Sequence, residues 1–219
     1  MHDPDDTKPR LVTGIGASAG GLDALRRFFR AVPHNSHFAF IVAQHLDPTH
    51  KSMMAEILNR DSYLTFYQAK DQQKIQADCG YIIPPDAYIE VIDHTISIIK
   101  PPRERRSRLA IDHLFRSMAY EYGAKAVGLL FSGSGSDGTA GLRVLKAAGG
   151  LVIVQDPKSA EYPSMPRSAI DAGVADQVVA VEAMPDMLMR YAKHPYHSYE
   201  DKSQTTNSEM LRTITSLLR

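Results

Sequence analysis

Three residues in this sequence have the types and settings that acyl-transfer chemistry requires: Ser18, His45 and Asp137. Ser18 lies in Gly16-Ala17-Ser18-Ala19-Gly20, a G-x-S-x-G pattern whose small neighbours let a tight strand-to-helix turn expose a serine hydroxyl. His45 follows the apolar run 37–43, and Asp137 closes the loop Ser132-Gly133-Ser134-Gly135-Ser136-Asp137-Gly138. Ester hydrolysis needs a hydroxyl to attack, an imidazole to take its proton and a carboxylate to orient that imidazole. Each residue also has a plainer use: Ser18 as a helix cap, His45 as a core histidine, Asp137 as the cap of a helix at 139. Their joint occurrence favours the triad. None of the three is expected to hold the fold together, because all sit at strand ends.

The first motif has other readings. Gly14, Gly16 and Ala19 fit G-x-G-x-x-A, a dinucleotide-binding variant, and glycines close tight turns in any α/β protein. A dinucleotide site wants an acidic residue at the end of the second strand to hold the ribose. Gln44-His45 stands there instead, with Asp47 displaced. His45, Asp47 and His50 cluster without the i, i+4 spacing of helical zinc ligands, and Pro48 interrupts any helix. No metal is expected. Cys79 reads either as a nucleophile or, more simply, as a small buried hydrophobe at a strand start.

These residues need a scaffold that gathers strand ends. Strands are expected at 11–16, 37–43, 63–69, 81–83, 126–131, 151–154 and 178–181, with a hairpin of 88–92 and 96–99 around Asp93-His94-Thr95. Helices are expected at 21–31, 52–59, 111–122 and 139–148, after Pro166, and at 185–192. Strands that alternate with helices over short links make a doubly wound, mostly parallel α/β sheet with helices on both faces. Ligands of such sheets bind outside the carboxyl ends of the strands, where Ser18, His45 and Asp137 all fall.

The domain reading is a polar tail over 1–10, a catalytic domain over 11–192, and a linker with the start of a further helix or domain over 193–219. The basic loop 100–108 reads as a solvated connector. Twenty-five basic residues against 25 acidic ones give no electrostatic support for nucleic-acid binding. One cysteine excludes an internal disulfide. No apolar run reaches membrane-spanning length, so no membrane insertion and a cytoplasmic location are expected.

The motifs resemble the catalytic domain of the chemotaxis receptor methylesterase, the CheB family, from about Val12 to Tyr191. Gly16-Ala17-Ser18-Ala19-Gly20-Gly21 is similar to the family's Gly-Ala-Ser-Thr-Gly-Gly turn, and Gln44-His45-Leu46 to its histidine segment. The stretch 111–117 resembles its V-D-x-L-F-x-S helix, and 132–138 its T-G-M-G-x-D-G loop. Gln155-Asp156 with Ser164-Met165-Pro166-Arg167 resembles its Q-D…G-M-P-R element. The resemblance implies Ser18 as nucleophile, His45 as general base and Asp137 as its orienter. It implies backbone oxyanion donors at Ala19 and Ser134, substrate binding at Met165 and Pro166, and no cofactor. Ala19 replaces the family's threonine, Ser134 its methionine and Ser164 its glycine. A backbone donor survives such a side-chain change.

The implied reaction is hydrolysis of glutamate γ-methyl esters, with glutamine deamidation as a second outcome of the same triad. The implied partner is a methylated chemoreceptor or similar protein. No receiver domain is expected ahead of the first strand, and several details look more like the version fused ahead of a methyltransferase domain. Two rival readings remain at this point: a non-catalytic docking module with the same fold, and a nucleotide-binding domain.

Overall fold

A computed structural model of the chain describes residues 8–44, 53–100 and 109–193. Seven strands form a parallel sheet: β1 (Leu11–Ala17), β2 (Phe38–Gln44), β3 (Thr65–Gln68), β5 (Cys79–Ile82), β8 (Val127–Leu130), β9 (Leu151–Gln155) and β10 (Gln177–Val179). Their spatial order is β10-β9-β8-β1-β2-β5-β3. The chain builds outward from β1 to β2, then crosses back to place β8 on the other side of β1. The strand order therefore reverses between β1 and β8, and a crevice opens at such a reversal.

Both faces are apolar and both are covered. Along β2, Phe38, Phe40 and Val42 pack into one core with α1 (Gly21–Ala31), α2 (Met54–Asp61) and α6 (Met184–Ala192). Ala39, Ile41 and Ala43 pack into the other with α3 (Ala110–Tyr122), α4 (Thr139–Ala147) and α5 (Ser164–Asp171). This is the two-residue alternation of a strand, read out as two cores. On α1, Leu25, Phe28 and Phe29 are buried as the helical spacing predicts, and Phe28 meets Phe40 edge-to-face at 5.6 Å. Leu22, expected on that face, is only partly buried.

The expected hairpin is present as β6 (Tyr88–Ile92) and β7 (Thr95–Ile99), but a two-residue strand, β4 (Gln73–Lys74), joins it to make a three-stranded antiparallel sheet. Strand β4 is polar and too short to show a period. Gln72 N–H donating to Ile96 O and Ile98 N–H donating to Asp71 set its position.

Other bounds differ by a few residues. Helix α5 starts at Ser164 rather than after Pro166, because a proline is tolerated in a first turn, where its missing N–H would have no partner. Strand β10 stops at Val179, and residues 181–183 form a 3-10 turn instead.

One rim of the main sheet is blocked. Thr65 and Ala69 turn their N–H groups towards β5. On the outer side, the Asn59 side chain accepts from Phe66 N–H at 2.7 Å and donates to Phe66 O at 3.0 Å. Among the described residues no helix is long and apolar enough to cross a membrane. The expectations for 194–219, 101–108 and 1–7 lie outside the described residues.

Candidate active site

Ser18 follows the last residue of β1, at the carboxyl edge of the sheet and at its point of reversal. Its N–H donates to Ser132 O at 3.0 Å, which ties it to the residue just past β8. Its own carbonyl accepts from Gly21 N–H at 2.8 Å, closing the turn. Gly20 stands at φ +68 as the residue before α1, a conformation that favours glycine. A Cβ there would come within 2.9 Å of the Glu161 side chain and 2.8 Å of Ser132 Oγ. No side chain caps α1, so Ser18 is not its cap. Ser18 is partly exposed and borders a cleft of about 420 Å³ that also reaches Gln44, Arg26 and Glu161.

The G-x-G spacing belongs to packing instead. Gly14 and Gly16 lie inside β1, where a Cβ would strike Met118 Sδ at 2.4 Å and Ile111 Cγ2 at 2.2 Å. They seat α3 on the sheet, which accounts for the pattern that resembled a dinucleotide turn.

The loop after β8 is a dense web. Ser132 is buried; its Oγ donates to Ala19 O at 2.9 Å and accepts from Tyr162 N–H at 2.9 Å. Its N–H donates to Gln155 Oε1 at 2.7 Å. Gly133 N–H donates to Tyr162 O, and Met165 N–H donates to Gly133 O, both at 3.0 Å. A Cβ on Gly133 would lie 2.9 Å from Ser18 Cβ and 2.4 Å from Met165 Cε, so the loop passes directly against the serine. The backbone N–H groups of Ala19 and Ser134 have no acceptor among the described residues.

Asp137 is buried, and it does not cap the helix that follows it. Gly138 is the residue before α4, at φ +93, with no side-chain cap. The Asp137 carboxylate turns instead to the start of α3, accepting from Ile111 N–H at 3.0 Å and Asp112 N–H at 2.9 Å. A negative charge suits a helix N-terminus. These two bonds are half of what a carboxylate can accept. The expectation of Asp137 at a solvent-facing edge is therefore corrected: it is buried and hydrogen-bonded to the start of α3.

Asp112 returns the link, accepting from Gly141 N–H at 2.6 Å on α4. Burial holds the Asp112 carboxyl above its ordinary value. Gly141 N–H opposes that shift, and the negative charge of Asp137 adds to it.

Met165 and Pro166, expected to bind substrate, are buried in the first turn of α5, Met165 completely. Met165 lies against Gly133, its Cε 2.4 Å from where a Cβ on Gly133 would stand. Cys79 is buried, and burial pushes its thiol up, which suits the small buried hydrophobe at a strand start. His45 lies outside the described residues; β2 delivers the chain as far as Gln44, at the edge of the cleft beside Ser18. Sequence reasoning missed Ser132 and Gln155 as structural ties and Glu161 as a cleft wall. The only signal was the Q-D pair at 155–156. Among the described residues no group of three or more His, Cys, Asp or Glu side chains is placed to hold a metal ion.

Residues 13–188 match the family model described as CheB methylesterase. The chain belongs to the CheB methylesterase family. A relative from Photorhabdus laumondii, named protein-glutamate methylesterase/protein-glutamine glutaminase, is 36% identical over 194 residues, covering 85% of this chain and 55% of its own length. A relative from Leptospira interrogans, named a putative enzyme of the same kind, is 32% identical over 177 residues, covering 80% of this chain and 92% of itself. The chain thus spans about half of the first relative and nearly all of the second. The crystal structure of the Thermotoga maritima CheB methylesterase catalytic domain superposes with a TM-score of 0.77 at 28% identity, covering 83% of this chain and 98% of that one. The CheB fold and the parallel sheet expected from the sequence agree.

Proposed function

We propose that this chain is a protein-glutamate methylesterase acting through Ser18, His45 and Asp137, with glutamine deamidation as a second reaction of the same site. The observation that carries the reading is Ser18 itself. It is a partly exposed residue at the carboxyl edge of the reversal, wedged against Gly133, beside the N–H groups of Ala19 in its own turn and Ser134 in the loop after β8, which have no acceptor among the described residues. Family membership and the names of the relatives support the substrate class.

In this mechanism Ser18 Oγ attacks the γ-carbonyl carbon while His45 takes its proton. The C=O π electrons move to oxygen, and the Ala19 and Ser134 N–H groups receive that oxyanion. Collapse expels methoxide, which takes the proton from the imidazolium and leaves as methanol. Water then attacks the serine ester by the same route and releases glutamate. Asp137 orients and charge-stabilises the imidazole while its other acceptor sites hold α3 in place. The substrate is a methylated chemoreceptor segment, the location is the cytoplasm, and a methyltransferase domain is the fused or associated partner.

The test is methanol release from a γ-methyl-glutamyl receptor or receptor peptide, comparing this chain with Ser18→Ala. Release that stops in the variant supports the reading. Equal release in both, or none in either, removes it and leaves a docking module.

A further inference from the structure

The reaction changes the charge of what the cleft holds. A neutral ester enters and a carboxylate leaves, with a proton and methanol as the other products. The transition state carries an oxyanion next to an imidazolium and is nearly neutral overall. The product complex, with the imidazole neutral again, carries a net negative charge. A fixed charge at the rim of the cleft therefore acts more on product than on substrate or transition state, since a monopole is felt further than a dipole.

One such charge stands beside the nucleophile turn. Glu161 Cβ and Oε2 each lie 2.9 Å from where a Cβ on Gly20 would stand, two residues from Ser18. Glu161 is exposed, and it borders both the 420 Å³ cleft with Ser18 and a neighbouring one of about 320 Å³. The other charged groups around the Ser18 cleft are paired. Arg26 is bound to Asp61, and Asp23 to Arg27, which also holds Glu182. Glu161 has no ion pair among the described residues. Lys158 borders only the neighbouring cleft. Among the described residues the wall next to Ser18 thus carries one carboxylate without an ion pair.

We infer that Glu161 is a specificity-determining residue that biases the cleft against the carboxylate product, favouring the neutral ester or amide and hastening product release. This rests on the methylesterase reading. The Glu161 carboxylate meets the product γ-carboxylate across partly solvated space, so the repulsion is modest and screened by salt.

The experiment uses the whole chain with a peptide pair, one bearing the γ-methyl ester and one the free glutamate. Product inhibition by the free-acid peptide is measured during turnover, and its binding is measured directly by fluorescence anisotropy. In Glu161→Gln the free-acid peptide should bind about two- to fivefold more tightly at low ionic strength, and more tightly still in Glu161→Lys. The gain should fade at high salt. Unchanged free-acid binding in both variants, a change that salt does not diminish, or an equal shift for ester and acid would overturn the inference. Absence of turnover in the unmodified chain would sink the methylesterase reading instead, and the anisotropy comparison would still decide the role of Glu161.

Discussion

The turn that carries Ser18 and the loop that follows β8 are neighbours at one sheet edge, yet they are built in different ways. The first is sparse: two backbone hydrogen bonds, a left-handed glycine and a helix without a side-chain cap. The second is held by Ser132, Gln155 and Asp137, and Ser164 joins it by accepting from Gly135 N–H at 3.2 Å. The Ser18 turn costs the fold little because its rigidity is borrowed from the loop beside it. Chemistry and stability should therefore separate at Ser18 and coincide at Asp137.

The largest effects test the sparse side. Ser18→Ala and His45→Ala should each lower kcat by about 10⁴–10⁶, and the double variant should be hardly worse, because such residues act as a unit. Thermal melts of Ser18→Ala should stay close to those of the unmodified chain, since the turn is closed by the backbone bonds Ser18 N–H to Ser132 O and Gly21 N–H to Ser18 O, which alanine keeps. A fall of several degrees would erase the contrast between the two regions.

Asp137→Asn should lose about 10²–10⁴ in kcat and also melt lower. Asn presents one acceptor where two backbone N–H groups of α3 wait, so about 2 kcal/mol is at stake. That corresponds to roughly 4–8 °C in a chain of this size. An unaltered melting curve would return Asp137 to a purely catalytic role.

Gly133→Ala probes the contact between the regions. The Met165 tip can swing away from a new methyl group, but Ser18 Cβ at 2.9 Å cannot do so without leaving its place. Activity should fall at least tenfold while the melting temperature drops only a few degrees. Ser132→Ala is the reverse case: it leaves Ala19 O and Tyr162 N–H without their partner, so stability should fall by about 1–3 kcal/mol, read by urea melts.

The smallest effect is at Asp112. Its folded value is raised by burial, so folding favours the protonated acid. The stability this contributes is present below the unfolded carboxylate value of about 3.9 and is lost as pH rises through the folded one. Asp112→Asn keeps an acceptor for Gly141 N–H and removes the charge. It should be as stable as the parent near pH 4 and more stable at pH 7, read by urea melts at the two pH values.

The sequence made the sheet readable where hydrophobicity was continuous. Strands β1, β2, β8 and β9 emerge within about two residues at either end because both faces are apolar. Their lateral order is another matter: β5 lies between β2 and β3, and no local pattern encodes a neighbour reached only after two crossovers. The serine turn was legible because glycine and serine there answer to backbone geometry. The role of Asp137 at α3 was not, since its partners lie 26 and 25 residues back along the chain. Gly14 and Gly16 misled for a related reason: closeness of a helix and closeness of a pyrophosphate demand the same residue.

Asn59 has a consequence beyond its own helix. An open strand rim is a template on which any extended segment can grow, whether from a second copy or from an unfolded neighbour. By occupying both backbone groups of Phe66, one carboxamide ends the ladder there without adding a strand. An extended segment that approaches this rim therefore finds no free backbone pair at Phe66 from which to grow.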